Sequence, residues 1–290
     1  MPASVEAQLG YSLCVAKYEM KVSLNDGTAV SDGRGTTNLD PALYLPVSRA
    51  AGTPWTRLTY AENLSECASL GAQYSLLSNR EWDVLALDIA SVSSNWSLGR
   101  LRSGHSDGTT DASAQTDGWT FANSGGLLAA GSDSNGYEGT GNSSAAAFGS
   151  GGEQIRVFTT SDGQIIWDLS GNARERVDID GQGGTVSYSG GPSAYIEVVS
   201  AAMTSFISVL TSSNGVTFGS STFQPSTTSW THSSQNIGRF YIPGGVVSLR
   251  VITRGGNLAS GNSPGLFAGD ADEISTGRSS TGGFRCVYQP

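Results

Sequence analysis

Residues 161–178 read SDGQIIWDLSGNARERVD, and the rest of the chain is read outward from them. Asp162-Gly163 signals a turn, and Gln164-Ile165-Ile166-Trp167 is a short apolar run with strand character. A tight polar turn, Asp168-Leu169-Ser170-Gly171-Asn172-Ala173, leads into Arg174-Glu175-Arg176. Asp168 and Glu175 stand seven residues apart across a turn that contains glycine, which lets both carboxylates converge on one point. Two readings of that convergence are open. An oxygen-lined loop of this kind is what a hard cation such as calcium selects. The other is a turn carrying two solvated acids.

On the N-terminal side, Leu13–Met20 reads as a strand followed by glycine-set turns at Asp26-Gly27 and Asp32-Gly33-Arg34-Gly35. Thr59 with Glu62 three residues on forms a capping box, so a helix is predicted there, with Leu64, Cys67 and Ala68 on its buried stripe and Gly71 at its end. Ser78 and Glu81 repeat the device. The second helix sets Trp82, Leu85, Ala86 and Ile89 at i, i+3, i+4 and i+7, which makes them a core face.

Residues 95–152 are rich in Gly, Ser, Asn and Asp without periodicity and read as long surface loop, interrupted by Trp96, His105, Trp119, Phe121 and Tyr137. Residues 153–167 recover strand character. A section at about 183–251 reads as an insertion of irregular strands, namely Tyr195–Val199, Phe206–Leu210, Val216–Phe218, Phe240–Ile242 and Val246–Ile252, with Trp230 and His232 near its tip. The chain closes on a strand at Phe284–Tyr288.

Composition narrows the function classes. Only 14% of the 290 residues are charged and 39 are glycine, which suits a loop-rich extracellular protein better than a helical cytosolic enzyme. A net charge of -9 makes a phosphate backbone an unfavourable partner, so no nucleic acid is expected. No run of 18 apolar residues is present, so membrane insertion is not expected either. MPASVEAQLG has no basic segment leading into an apolar one; the expectation is that residues 1–12 connect to a stalk, with an export signal upstream. Three cysteines leave one unpaired if a disulfide forms.

The stretch IIWDLSGNARERVD resembles the "dl.GNvwEWv.D" signature of the formylglycine-generating-enzyme-like (sulfatase-modifying factor) family. Leu13–Met20, the Leu76-Leu77-Ser78-Asn79-Arg80-Glu81-Trp82 segment, Arg254-Gly255-Gly256 and Gly283-Phe284-Arg285-Cys286-Val287 match further family motifs in order, from Leu13 to Tyr288. The resemblance implies an α+β, C-type-lectin-like fold: two helices packed on small antiparallel sheets, loop-rich, one domain over 13–290 with insertions. It implies a Cys67–Cys286 disulfide, which leaves Cys14 over; Cys14 is expected to be a small buried apolar residue beside the closing strand. It also implies a structural calcium ion held by Asp168, the carbonyls of Gly171 and Ala173, and Glu175.

The family's oxidase chemistry is not expected here. Its copper-binding cysteine pair falls on Ser260 and Gly265, and neither supplies the thiolate that Cu(I) requires. The tryptophan of "GNvWEW" is also replaced, leaving Arg174 and Arg176 around Glu175. Gly261-Asn262-Ser263-Pro264-Gly265 fits the G-x-S-x-G elbow in letters alone, because Pro264 lacks the N–H an oxyanion would need. The two histidines, His105 and His232, are far apart; His105 is expected to pin a loop.

What remains is a non-enzymatic binding module, with an enzyme of altered chemistry or a purely structural fibre component as alternatives. The family's non-catalytic relatives include adhesins, fibre tips and retroelement-diversified receptor-binding proteins, whose variable stretch lies between RGG and the closing strand. By that resemblance Asn257, Asn262, Phe267, Asp270, Asp272, Glu273 and Arg278 are candidates to contact a cell-surface glycan or protein, and Trp230, near the tip of the insertion, is a further candidate. A surface-displayed homotrimer joined through a stalk is the expected assembly.

Overall fold

Two reciprocal caps start the main helices. Thr59 Oγ1 accepts from the Glu62 amide at 3.3 Å while Glu62 Oε2 accepts from the Thr59 amide at 2.6 Å. Ser78 and Glu81 make the same exchange at 3.2 and 2.7 Å. Each cap satisfies amides that the first helical turn leaves without partners. The computed structural model describes residues 1–26, 42–106, 108, 126–141, 154–219, 222–225, 229–260 and 263–290.

The helices are α1 (Ala3–Leu9), α2 (Tyr60–Ser69), α3 (Asn79–Ser91), α4 (Ala201–Val209) and α5 (His232–Gln235). Short strands open the chain: β1 (Cys14–Val15), β2 (Met20–Leu24), β3 (Tyr44–Ser48), β4 (Tyr74–Leu76), β5 (Trp96–Ser97) and β6 (Arg100–Leu101). β7 (Val157–Thr159) leads into the anchor stretch, which contributes β8 (Ile165–Trp167) and β9 (Arg174–Arg176). Then come β10 (Val186–Gly191), β11 (Ala194–Glu197), β12 (Thr211–Ser212), β13 (Arg239–Ile242) and β14 (Gly245–Arg254). The chain ends with β15 (Gly269–Ile274), β16 (Gly282–Phe284) and β17 (Cys286–Tyr288).

The architecture is α+β, as expected. N- and C-terminal strands meet in a sheet of order β1-β17-β4, with Cys14 opposite Tyr288 and Cys286 opposite Leu76. A larger sheet runs β11-β13-β15-β14-β10-β12, and β9 branches from it by pairing with both β14 and β16. Cys67 on α2 is bonded to Cys286 on β17, as the resemblance implies, with their Cα atoms 5.4 Å apart. Trp82, Leu85, Ala86 and Ile89 lie in the main core, as their spacing predicts. Among the described residues no helix is long and apolar enough to cross a membrane.

Several expectations change. Residues 1–12, expected as a connection, include α1, which buries Val5 and Leu9 and docks against α3. Arg80 on α3 secures it by donating to the carbonyls of Gln8 and Leu9. The strand at Leu13–Met20 divides into β1 and the start of β2, because Ala16–Glu19 crosses over the anchor loop and gives its polar groups to it. Cys14 is exposed rather than buried; Leu13 points into the core and strand alternation turns its neighbour outward at a sheet edge. Phe206–Leu210, read as a strand, lies mostly in α4: Ser200 caps it through the Met203 amide, and Met203, Phe206 and Ile207 form one buried helical stripe. Val216–Phe218 forms no strand. His232 is buried at the start of α5, not at a tip. The turn at Asp32–Gly35, and Trp119 and Phe121, lie outside the described residues.

On α2 the buried side is Tyr60, Asn63, Glu66 and Cys67, while Leu64 is half-buried and Ala68 exposed. The helix is turned this way because Asn63 Oδ1 accepts from buried Arg176 at 3.1 Å. Glu66 is carried inward with it and is only 2% exposed. Burial, then the charge of Glu62, pushes the Glu66 carboxyl from 4.5 up to about 7. The fold therefore favours the protonated acid; its contribution is full below about pH 4.5 and is lost as pH rises to about 7. Glu66→Gln is expected to flatten stability over that window and to stabilise at pH 8 by about 1 kcal/mol after solvent screening, a Tm rise of a few degrees. Melting curves at pH 5 and pH 8 check it; a variant with the wild-type slope would refute the assignment.

Candidate functional site

The anchor loop is a rigid floor. Asp168 and Asn172 hold left-handed φ values of 59° and 56°, and Gly171 between them has φ 76°. A Cβ at Gly171 would lie 2.4 Å from the carbonyl oxygen of His105, so only glycine fits beneath that segment. The Asn172 amide donates to that same His105 carbonyl at 2.7 Å, and His105 Nε2 lies 3.1 Å from the Gly126 carbonyl oxygen. His105 thus pins a loop, as expected. Glu19, from the crossing between β1 and β2, accepts from Asn172 Nδ2 at 2.6 Å and from the Ala173 amide at 2.9 Å.

The floor's carboxylates are already engaged. Both oxygens of Asp168 accept from Arg156, at 2.7 Å from Nε and 2.8 Å from Nη2. Glu175 accepts from Arg285 at 2.6 Å from Nη2 and 3.1 Å from Nε. Both pairs are almost fully buried. Of the calcium set expected at Asp168, Gly171, Ala173 and Glu175, both carboxylates accept from a guanidinium fork. Lys21 is buried here as well, and burial lowers its ammonium to about 8. Burial also raises the Glu19 carboxyl, with Asp168 and Glu175 adding to the effect.

The second candidate region lies on the large sheet. Its register aligns Tyr195 on β11, Tyr241 on β13, Asp270 on β15 and Thr253 on β14 in one row. Facing positions on adjacent strands share a side of the sheet, so these side chains form one surface. The Tyr195 and Tyr241 rings are 5.0 Å apart, and Tyr195 is 49% exposed. Two residues along from Tyr241, Arg239 faces Glu197 at 3.5 Å. Beside the row is a recess of about 30 Å³, lined in part by Arg174, Asn257, Ser260 and Ser263.

Arg174 organises the polar half. Its guanidinium reaches Asp270 at 3.1 Å and Glu273 at 2.6 Å, and the second oxygen of Glu273 accepts from buried Arg176 at 2.7 Å. Burial raises the Asp270 carboxyl while Arg174 pulls it back down. Arg176 in turn donates to the Leu58 carbonyl at 2.6 Å, which fixes the row to α2 and its approach. Arg174, Asp270 and the two tyrosines are thus preorganised by β-register and ion pairs, while Asn257, Ser260 and Ser263 come from the segment after β14.

The structure divides the residues expected to bind ligand. Asn257 and Asp270 line the recess, and Asp272 is two residues further along the same strand face, exposed. Phe267 does not take part; it is fully buried in the main core, its amide donating to Ile237. Arg278 is exposed but pairs with Glu62 at 2.5 Å, tying its loop to the start of α2. Trp230 packs edge-on against Trp96 with centroids 5.0 Å apart and does not line the recess. Asn262 lies outside the described residues. Tyr195, Tyr241, Arg174 and Arg239 were not foreseen. The signal for the tyrosines was present in the apolar runs at 195–199 and 240–242, where an aromatic sits at facing positions of two strands.

At the position of the family's copper pair, Ser260 Oγ accepts from the Asn257 amide at 2.8 Å, so this serine shapes the turn that carries Asn257 into the recess. Arg254 of the RGG motif is buried and ion-paired to Asp83 at 2.9 Å, joining β14 to α3.

No family model matches the chain, and no curated protein matches it. The solved structure of the Major Tropism Determinant U1 Variant aligns over 93% of this chain at 14% identity with a TM-score of 0.36. The chain spans about half of that structure's length, 49%.

Proposed function

We propose that this domain is a non-enzymatic ligand-binding module which recognises a cell-surface glycan or protein through the Tyr195–Tyr241–Asp270 row. One observation carries the reading: the Tyr195–Tyr241 pair, with Tyr195 half exposed, stands in strand register with the Asp270 carboxylate, beside Arg174 held by buried Glu273 and beside Arg239. Aromatic faces beside fixed polar groups suit a pyranose ring, whose apolar face packs on tyrosine while its hydroxyls exchange hydrogen bonds with Asp270, Asn257 and Arg239. The same composition, tyrosine and arginine beside small polar residues, suits a protein epitope. In this reading the domain is displayed outside the cell, at a surface or fibre tip, and Asn257, Asp270 and Asp272 are the part of the RGG-to-closing-strand stretch that meets the ligand.

Binding of the labelled domain to a glycan array, with intact target-cell envelopes as a parallel arm, tests this. Saturable binding in either arm is expected, and an envelope signal that resists glycosidase but not protease assigns a protein ligand. Absence of saturable binding in both arms would refute the reading and leave a purely structural component.

A further inference from the structure

We propose that the guanidinium groups of Arg156 and Arg285 take the place of a divalent cation at the anchor loop, so that this chain rigidifies its signature motif without calcium. Glu19, Asp168 and Glu175 supply three buried carboxylates, and Lys21, Arg156 and Arg285 supply three buried cations. These six groups form one electrostatic set: Glu19 is influenced by Asp168, Glu175, Lys21 and Arg285, and Lys21 by Glu19, Asp168, Arg156 and Arg285. Counted at their ordinary charges, three acids balance three bases without a metal ion. A calcium ion would bring two further positive charges into a water-excluded site that already holds three, where unbalanced charge is costly.

Geometry supports the same conclusion. Calcium needs six to eight oxygens, with carboxylates among them facing the ion. Here the Asp168 oxygens face Arg156 Nε and Nη2, and the Glu175 oxygens face Arg285 Nε and Nη2. The bidentate fork is the arrangement in which arginine binds a carboxylate best.

The arginines also join segments, as a shared ion would. Arg156 Nη1 donates to the carbonyls of Ala129 at 2.7 Å and Glu138 at 2.9 Å, so one guanidinium clamps the 126–141 segment to the anchor. Arg285 donates to the carbonyls of Ala16 at 2.7 Å and Trp167 at 2.8 Å, holding the N-terminal crossing and β8 against β9. These four carbonyls accept directional N–H bonds from the two guanidiniums. The indole of Trp167 lies 5.2 Å from the Arg156 guanidinium and covers it.

The test uses the unmodified protein. Equilibrium dialysis against labelled calcium, and melting curves in chelator and in millimolar calcium, are expected to show no stoichiometric calcium and no change in Tm. One equivalent bound, or a Tm that falls in chelator, overturns the proposal. A thermal-shift cycle of Arg156→Met, Asp168→Asn and the double variant addresses the substitution itself. The double variant is expected to melt above Arg156→Met alone, because it removes the carboxylate left without its cation; additive losses overturn the pairing. Should Arg156→Met not fold, recovery of folded protein in the double variant is the same positive result, and the dialysis result stands without any variant.

Discussion

Arg285→Met is expected to cost about 3–5 kcal/mol, the penalty for removing one partner of a buried ion pair. Glu175 would be left fully buried and charged, and the carbonyls of Ala16 and Trp167 would each lose a donor. Arg285 ties the start of β17, β8, β9 and the N-terminal crossing to one another, so the loss reaches several segments of the floor. For a chain of this size the change corresponds to a fall in Tm of roughly 10 °C. Arg285→Lys keeps the charge but not the fork, and is expected to recover only part of the loss. Denaturant melts of the three proteins check this; an Arg285→Met variant within about 1 kcal/mol of wild type would mean the pair is not the support described.

The second large effect concerns the bond between Cys67 and Cys286. It closes a loop with a sequence separation of 219 residues, and the chain-entropy model gives a stabilisation of about 5 kcal/mol for such a loop. It also fixes α2 to the closing strand beside Trp55 and Phe284, which pack together in the smaller core. Reduction, or the double change Cys67→Ala with Cys286→Ala, is expected to lower Tm by roughly 10 °C or more. Such a bond forms and persists in an oxidising setting, consistent with the surface display proposed above. Equal Tm values with and without reductant, once reduction is verified by mass, would contradict the assigned role.

The parts of this architecture that were legible in the sequence are those governed by local rules. Thr59 with Glu62 and Ser78 with Glu81 announce two helices because both halves of each cap lie within one turn. Trp82, Leu85, Ala86 and Ile89 announce a core face for the same reason. The disulfide came through resemblance. What escaped depends on long-range pairing. Arg156 is 12 residues from Asp168, and Arg285 is 110 from Glu175, so nothing near either acid showed that an arginine would close it. Phe206–Leu210 failed differently: a short apolar run satisfies both periods, and only the Ser200 cap decides for helix.

The binding surface shows the same division. Asp270 and Asn257 were identified within a stretch, but stretch membership could not separate them from Phe267, which the fold needs in its core. Nor could it supply Tyr195 and Tyr241, brought beside Asp270 only by strands that pair across some 75 positions of chain from first to last. The floor and the row are joined through β9, where Glu175 belongs to the buried charge set and its neighbours Arg174 and Arg176 hold the acids of the row.

The most direct test of this account is a side-by-side comparison of the domain and its Tyr195→Ala/Asp270→Asn variant, in array or envelope binding and in thermal melting. Tyr195 is half exposed and Asp270 sits at the recess, so the variant is expected to keep its Tm within a few degrees while losing at least about tenfold in affinity, as befits removal of a central aromatic and its polar partner. A variant that binds as well as the wild-type domain would contradict the claim that this row meets the ligand.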